Sequence, residues 1–376
     1  MRWCKRCLEP DTRPDCVFDE EGICYPCRLL ETAHEIDWPG RWRELEEVVK
    51  WATERQEKSV SGYDCIIPVG GGKDSHRQAV FVRDELGLKC LLVSCAYPPQ
   101  QQTKRGAHNL ANLVELGFDC FAISPAPDTW RRLMRVGFMK FGNWCKPTEL
   151  ALYASAPKVA IRYNIPLLIY GENPALSWGS SGGSFDGDAN RMKYNNTMKG
   201  GDITPYLEEG FEKKDIYWHR YPHDKHIERA DLRMIYLGYY IKDFIDPING
   251  PLAMKLGLEP RTGEDAIFED IGQITTYDAL DDDFVMVNQM VKHIKYGFGK
   301  AAEQCSGMIR TGLMTRDEAV RLTRKYDGKC AHRYIERFCQ YIGISEDQFW
   351  EVANSYRDPE VWEPDGNEWR LKVPIE

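Results

Sequence analysis

A run of glycines followed by charged and hydroxyl residues has the composition of a phosphate-binding turn. The run comprises Gly70, Gly71, Gly72, Lys73, Asp74 and Ser75. It follows Cys65 to Ile67, an apolar stretch too short for a helix, and precedes apolar residues with helical spacing, Ala79, Val82 and Leu86. The sequence therefore predicts a strand, a glycine turn and a helix in that order.

This order favours an anion as ligand. Glycines let a backbone approach a ligand closely, and the first turn of a helix leaves amide N–H groups without partners. Lys73 adds a mobile positive charge and Ser75 a hydroxyl group, so a di- or triphosphate is the expected occupant. The spacing differs from a Walker A loop, which has four residues between its first glycine and Gly-Lys. A glycine-rich turn without a ligand is the alternative.

Two pairs of cysteines near the N-terminus have the spacing of a metal site. Cys4 and Cys7 form one CxxC motif, and Cys24 and Cys27 form a second one after a gap of sixteen residues. Four thiolates at this spacing predict a structural zinc ribbon, with an iron–sulfur cluster as the alternative. Cys16 lies between the pairs and is surplus.

Strands and helices alternate beyond the glycine turn. Further strands are predicted at 90–95, 118–123 and 165–170, each next to a helical pattern. This alternation predicts an α/β fold with a parallel sheet and helices on both faces. Ligands bind at the carboxyl ends of such strands, where Glu172 could donate oxygen to Mg²⁺ and Asn173 could contact a substrate. A simple loop carboxylate is the alternative for Glu172.

Three other residues are candidates for contact with a substrate. Arg105 and His108 open the helix after the second strand and could meet a phosphate or carboxylate, although solvated helix charges are the plainer interpretation. Cys145 precedes a helix and is followed by Lys146, which would lower its pKa and favour a catalytic thiolate. A buried structural cysteine is the alternative.

The pattern divides the chain into four parts. We predict a zinc ribbon at 1–36, a linker helix at 37–60, the α/β domain at 61–250 and a mainly helical region at 251–376. Within the α/β domain, the stretch 177–201 is rich in Gly, Ser, Asn and Asp and is interpreted as a lid over a ligand.

Composition restricts the functional class. The net charge of -9 argues against a general nucleic-acid binder. No apolar run reaches the roughly 18 to 20 residues that span a bilayer, and no apolar segment follows Met1 as in a signal peptide. We therefore expect a cytoplasmic protein with reduced cysteines and no membrane partner; a homo-oligomer is left open.

The glycine run resembles the Ser-Gly-Gly-x-Asp-Ser signature of the PP-loop ATP pyrophosphatases, which split ATP between its α- and β-phosphates. The departure is Gly70, where the family has serine. Longer stretches of the chain resemble the N-acetyl sugar amidotransferases, a PP-loop family of bacterial surface-glycan and flagellin-glycan synthesis. These stretches are 4–14, 18–24, 63–69, 165–173 and 315–328.

The resemblance implies an ATP-dependent amidotransferase that turns the acetamido group of a sugar or nucleotide sugar into an acetamidino group. It implies ATP bound at 70–75, Mg²⁺, a structural Zn²⁺, and Lys73, Asp74, Cys145 and Glu172 as catalytic candidates. Arg2 rather than cysteine follows Met1, so we expect a separate glutaminase subunit or free ammonium as the ammonia source. The alternatives are a PP-loop tRNA-thiolation enzyme and a catalytically silent nucleotide-binding subunit.

Overall fold

The computed structural model describes residues 1–56, 61–174, 183–195, 197–366 and 368–376. Its centre is a parallel sheet of five short strands. The strands are β1 (Cys65–Pro68), β2 (Cys90–Cys95), β3 (Asp119–Ile123), β4 (Leu167–Tyr170) and β5 (Arg233–Tyr236). Their spatial order is β3-β2-β1-β4-β5, and all neighbouring pairs are parallel. The strand order reverses between β1 and β4. This position is the topological switch point, where ligands bind in such folds.

Sixteen α-helices are present in the described part of the chain. They are α1 (Tyr25–Glu31), α2 (Trp38–Gln56), α3 (Lys73–Asp84), α4 (Lys104–Glu115), α5 (Pro127–Phe141), α6 (Cys145–Tyr163), α7 (Thr204–Leu207), α8 (Asp224–Arg229), α9 (Leu237–Tyr240), α10 (Asp246–Lys255), α11 (Phe268–Ile271), α12 (Phe284–Tyr296), α13 (Lys300–Arg310), α14 (Arg316–Tyr326), α15 (His332–Ile342) and α16 (Glu346–Ser355). None of these helices has the length and apolar character needed to cross a bilayer.

Alternate residues of the strands face two separate apolar clusters. On one face, Ile66 and Leu168 pack in a cluster with Val159 of α6. On the other face, Ile67 and Leu167 pack in a cluster that includes residues of α2 and α3. Both faces of the sheet are therefore covered by helices, as a parallel sheet requires. The predicted α/β fold class is confirmed.

The C-terminal region shares an aromatic core with α5 and α6. Phe138 of α5 stacks on Phe349 of α16 with ring centroids 5.1 Å apart, and Phe284 and Phe338 pack against them. Capping boxes at Thr315 and Ser345 begin α14 and α16. The region ends in an antiparallel hairpin of β6 (Trp362–Asp365) and β7 (Glu368–Leu371).

The N-terminal segment docks onto this C-terminal region. Leu8 is fully buried against Cys305 and Ala319, and its amide donates to Ser306 Oγ at 3.1 Å. Thr12 Oγ1 donates to the carbonyl of Tyr296 at 2.5 Å. The two ends of the chain thus form one packed unit beside the sheet.

Two features depart from the sequence prediction. The strand β5 was not predicted, because its four residues begin with an exposed Arg233 and pass directly into the aromatic helix α9. The proposed domain boundary at residue 250 falls inside α10, which packs on α3. Residues 57–60 of the predicted linker and 177–182 and 196 of the predicted lid lie outside the described residues.

Candidate functional site

The glycine turn lies at the carboxyl end of β1, where the strand order reverses. Gly71 has a φ of +86°, and a Cβ there would lie 3.0 Å from the backbone nitrogen of Leu110, so a side chain is excluded. Gly72 caps α3 without offering a side-chain acceptor, and the hydroxyl of Ser75 accepts a hydrogen bond from the Gly70 amide at 3.1 Å. The turn therefore has the glycine geometry and uncapped helix start of an anion site.

Lys73 is the buried cation of this site. Its Nζ atom lies 2.7 Å from Asp278 Oδ1, 3.0 Å from Asp74 Oδ2 and 3.3 Å from Asp246 Oδ1. Burial opposes the charge, but Asp246, Asp278 and Asp74 outweigh it and hold the pKa of Lys73 well above its ordinary value. The lysine is therefore charged at any physiological pH.

Asp278 fixes Lys73 from the C-terminal region. Its Oδ2 atom accepts hydrogen bonds from Gln304 Nε2 at 2.6 Å and Thr275 Oγ1 at 3.3 Å, and it lies 4.0 Å from Lys300 Nζ. Burial alone would raise the pKa of Asp278, but Lys300 and Lys73 lower it. The carboxylate is thus held ionised between two lysines.

Asp74 is oriented by a second network. Asn249 on α10 donates to Asp74 Oδ1 at 2.6 Å, while Arg77 Nη1 donates to Asn249 Oδ1 at 2.6 Å. Arg77 Nη2 also pairs with Asp243 at 2.6 Å. Asn249 is fully buried, so its two hydrogen bonds fix the Asp74 carboxylate beside Lys73.

Glu172 follows β4 after one residue, Gly171, on the opposite side of the switch point. Burial raises its pKa well above the ordinary value, with Asp246 and Asp74 adding to the effect and Lys73 and Lys300 opposing it. The next residue, Asn173, is buried and donates to the carbonyl of Ser184 at 2.8 Å. Asn173 is thus a turn-stabilising residue of this strand end.

In the cluster of charged side chains around Lys73, carboxylates outnumber cations. Asp74, Asp246, Asp278 and Glu172 face two lysines, Lys73 and Lys300. A phosphate group would meet net negative charge unless a cation accompanied it. Carboxylate oxygens are the donors that Mg²⁺ prefers, so this donor set fits a magnesium phosphate.

A cavity of about 300 Å³ adjoins the cluster. One wall comes from Pro26, Leu29 and Leu30 of α1, and another from Gly307 and Met308 of α13. Other lining residues are charged and polar groups near Lys73: Glu172, Asn173, Asp246, Asp278, Lys300 and Gln304. The cavity is therefore lined both by apolar side chains and by part of the polar cluster.

The four predicted zinc ligands come together. The Sγ atoms of Cys4, Cys7, Cys24 and Cys27 all lie within 4.8 Å of one another, and all four residues are buried. A tetrahedral zinc with bonds of about 2.3 Å places its sulfur atoms about 3.8 Å apart, so the thiolates fit a structural zinc ion. Arg310 of α13 reaches toward this cluster, with Nη1 4.0 Å from Cys7 Sγ.

Cys145 does not have the expected acidity. It is the first residue of α6, but burial raises its pKa well above the ordinary value, and the carboxylates of Glu149 and Asp282 add to the effect. The expected lowering by the helix start and Lys146 is wrong, because desolvation of the thiolate dominates. A catalytic role for Cys145 stays an untested prediction.

Arg105 and His108 lie on α4, the helix whose backbone packs against Gly71 of the glycine turn. The Arg105 guanidinium is buried and pairs with Asp265 at 3.3 Å and Asp283 at 3.2 Å. These ion pairs join Arg105 to the C-terminal region, and its contact with a phosphate or carboxylate stays a prediction. His108 is exposed, with Nε2 3.9 Å from Glu259.

Sequence reasoning missed the residues that complete the site from far along the chain. They are Asp246, Asn249, Asp278, Lys300 and Gln304. No local motif marks them. Only the Asp-Pro pair in the first turn of α10 is a local signal, because proline is common at the start of a helix.

The fold and the site define an α/β protein with a glycine-rich turn at the switch point of a parallel sheet. Residues 271–374 match a family model that is described as the C-terminal domain of WbpG-like LPS biosynthesis proteins. The matched stretch is a little over a quarter of the chain and contains Asp278, Lys300 and Gln304. It therefore supports a family of sugar modification, and it includes part of the candidate site. No curated protein matches the chain.

Proposed function

We propose that this protein is an ATP-dependent, AMP- and pyrophosphate-forming amidotransferase of surface-glycan biosynthesis, acting on an N-acetylated sugar or nucleotide sugar. The observation that carries the proposal is that Lys73, which follows the glycine turn at the switch-point edge of the sheet, is ion-paired with Asp246 and Asp278, and both of these carboxylates line the cavity. The match to a domain of LPS biosynthesis proteins supports a glycan as the acceptor.

The reaction begins at the amide oxygen of the acceptor. That oxygen attacks the α-phosphorus of ATP, forming a new P–O bond while the bond to the β-phosphate oxygen breaks and pyrophosphate leaves. Ammonia then adds to the activated carbon, AMP leaves with the former amide oxygen, and loss of protons gives the acetamidino group. Adenylylation is needed because an amide carbonyl is a poor electrophile.

The loop residues take the phosphates in this proposal. Backbone amides of 70–75, the Lys73 ammonium and the Ser75 hydroxyl bind the triphosphate. Asp74 and Glu172 hold Mg²⁺, which neutralises charge on the departing pyrophosphate. Glu172 has a raised pKa in the absence of a cation, and we expect a bound cation to favour its ionised form.

The cavity takes the acceptor. Its lining includes Asp246 and Asp278, which contact Lys73, together with apolar side chains of α1 and Met308 of α13. A sugar with an acetamido methyl group has both polar and apolar surfaces to match this lining. The zinc module therefore forms one wall of the acceptor site, and its metal keeps that wall in place.

Ammonia comes from a separate glutaminase subunit or from free ammonium. With ammonium salt, the chain alone should turn over; with glutamine, turnover should require the partner and stop on adding a glutamine-site inhibitor. Glutamine-dependent turnover by the chain alone would contradict the need for a partner.

The thiolation alternative lacks a suitable cysteine at the loop in the described chain. Outside the zinc cluster, every cysteine with a resolved shift has its pKa raised by burial, among them Cys95, Cys145 and Cys330. A persulfide carrier needs an accessible thiolate instead. The silent-subunit alternative predicts nucleotide binding without turnover.

The test supplies ATP, Mg²⁺, ammonium and a panel of N-acetylated nucleotide sugars and measures AMP and pyrophosphate. We expect both products in equal amounts with at least one acceptor, and their loss in Lys73→Met. Lys325→Met is the matched control, since Lys325 pairs with Glu269 on the surface. ATP binding without product on any acceptor would favour the silent subunit, and ADP with phosphate would refute the proposed chemistry.

A further inference from the structure

One carboxylate that lines the cavity lies between two ammonium groups. Asp278 Oδ1 accepts from Lys73 Nζ at 2.7 Å, and Asp278 Oδ2 lies 4.0 Å from Lys300 Nζ. Lys73 begins the helix after the glycine turn, while Lys300 begins α13 of the C-terminal region. Asp278 therefore holds both lysines beside one another, where a single anion could contact both.

Lys300 has donor capacity that the protein does not use. Its side chain is 21% exposed, and its one ion pair in the described chain, with Asp278, is longer than a hydrogen bond. Lys73, in contrast, is hydrogen-bonded to both Asp74 and Asp278. Lys300 lines the cavity, so the donors that this long ion pair leaves unused can reach an anion bound there.

The surroundings of Lys300 keep it cationic. Burial opposes the charge, but Asp278, Glu303 and Asp246 raise its pKa above the ordinary value, with Lys73 opposing. Glu303 is itself bound to Lys292 at 2.9 Å and to Arg13, so its charge is shared. The positive charge of Lys300 is therefore available to an anion in the cavity.

We propose that Lys300 is a second phosphate-binding lysine, which contacts the pyrophosphate part of ATP together with Lys73. Asp278 is the positioning residue that aligns both lysines, and Gln304 and Thr275 hold it in place. This inference rests on the proposed binding of ATP at the glycine turn. It makes the C-terminal region a direct contributor to the phosphate site.

The test is calorimetric titration of the full chain with pyrophosphate and with AMP, each in the presence of Mg²⁺. Loss of one charge-assisted hydrogen bond should weaken pyrophosphate binding by Lys300→Met about 10- to 100-fold. AMP binding should not change, because AMP lacks the two phosphates that Lys300 contacts. Lys292→Met is the matched control, since Lys292 is another semi-buried lysine but is bound to Glu303.

A second measurement uses the wild-type chain and does not depend on a variant folding. Acylation of lysines by an amine reagent, followed by mass spectrometry, should show Lys300 protected by magnesium pyrophosphate and unprotected by AMP. Equal labelling of Lys300 with and without pyrophosphate would overturn the inference.

The outcomes separate this inference from the function it rests on. If Lys73→Met weakens pyrophosphate binding and Lys300→Met does not, Lys300 is no phosphate ligand and the proposed function stands. If the wild-type chain binds neither ATP nor pyrophosphate, the proposed function fails and the inference fails with it.

Discussion

Lys73 and Asp278 are 205 positions apart in the chain, yet Lys73 Nζ donates to Asp278 Oδ1 at 2.7 Å in the interior. The first helix of the α/β domain is thereby joined to the region that matches the LPS biosynthesis model. Removing one partner of such a buried pair leaves an uncompensated charge, which costs about 3–5 kcal/mol. The glycine turn and the C-terminal region are therefore expected to act as one structural unit.

Asn249 positions Asp74, and its removal should affect catalysis more than stability. In Asn249→Ala, Asp74 loses a donor and Arg77 loses an acceptor. We expect kcat/KM for ATP to fall about 10- to 100-fold, equivalent to the roughly 1.5–3 kcal/mol of a hydrogen bond to a charged group. Steady-state kinetics with a thermal melt will measure both effects.

The matched control is Asn112→Ala. Asn112 donates to the carbonyl of Leu256 at 2.9 Å and lies 3.0 Å from His76 Nε2, so it ties α4 to α3 and to the end of α10 without contacting Asp74. The Asn112→Ala substitution should lower the melting temperature and leave kcat/KM for ATP near the wild-type value. Equal kinetic losses in both variants would show that Asn249 has only a structural role.

Gly70 stands where the PP-loop signature has serine, and the structure has room for that serine. A Cβ at Gly70 would lie 3.4 Å from Asp281 Oδ2, an ordinary contact distance, and its φ is not in the left-handed region. If the new hydroxyl reaches a phosphate, Gly70→Ser should raise kcat/KM for ATP by up to about 10- to 100-fold. If kcat/KM for ATP is unchanged both in Gly70→Ser and in the double variant Gly70→Ser/Asp281→Asn, position 70 is not equivalent to the serine position of the family.

Zinc binding should depend on the four clustered cysteines and not on Cys16. We expect Cys24→Ser to lose the metal and to destabilise the N-terminal segment, because its short chain has little core apart from the metal site. Cys16→Ser, between the pairs, should retain one zinc per chain. Metal analysis of the purified variants measures this; iron in place of zinc would favour the cluster alternative.

Glu149 should give stability a pH dependence. Burial raises its pKa from 4.5 to about 7, although Thr197 and Lys146 oppose the shift. The folded state therefore retains the proton to higher pH than the unfolded chain, so the free energy of unfolding should fall as pH rises from about 4.5 to about 7. Urea unfolding at pH 5 and pH 8 should show a smaller decrease for Glu149→Gln than for wild type; identical decreases would contradict this assignment.

Local patterns predicted much of the fold. The glycine turn after β1 and the strand β2 each depend on residues close together in the chain, and both were found where expected. The four cysteines were also predictable, because metal-ligand spacing is a local signal. The identity of the phosphate ligand itself stays a prediction.

The residues that the sequence did not reveal act over long separations. Asp278 and Asn249 look like ordinary loop and helix residues until the fold brings them to Lys73 and Asp74. The ion pair of Arg105 with Asp283 was not predictable for the same reason, since the two residues are 178 positions apart. Desolvation, which decides the acidity of Cys145, likewise depends on packing that spacing does not encode.

The most direct test of the proposed chemistry follows the amide oxygen. An acceptor labelled with ¹⁸O in its acetamido carbonyl is incubated with the protein, ATP, Mg²⁺ and ammonium, and the AMP formed is examined by ³¹P NMR. We expect the isotope shift of one ¹⁸O atom on the AMP phosphate. Unlabelled AMP, or ADP and phosphate in its place, would show that the amide oxygen is not adenylylated and would contradict the account.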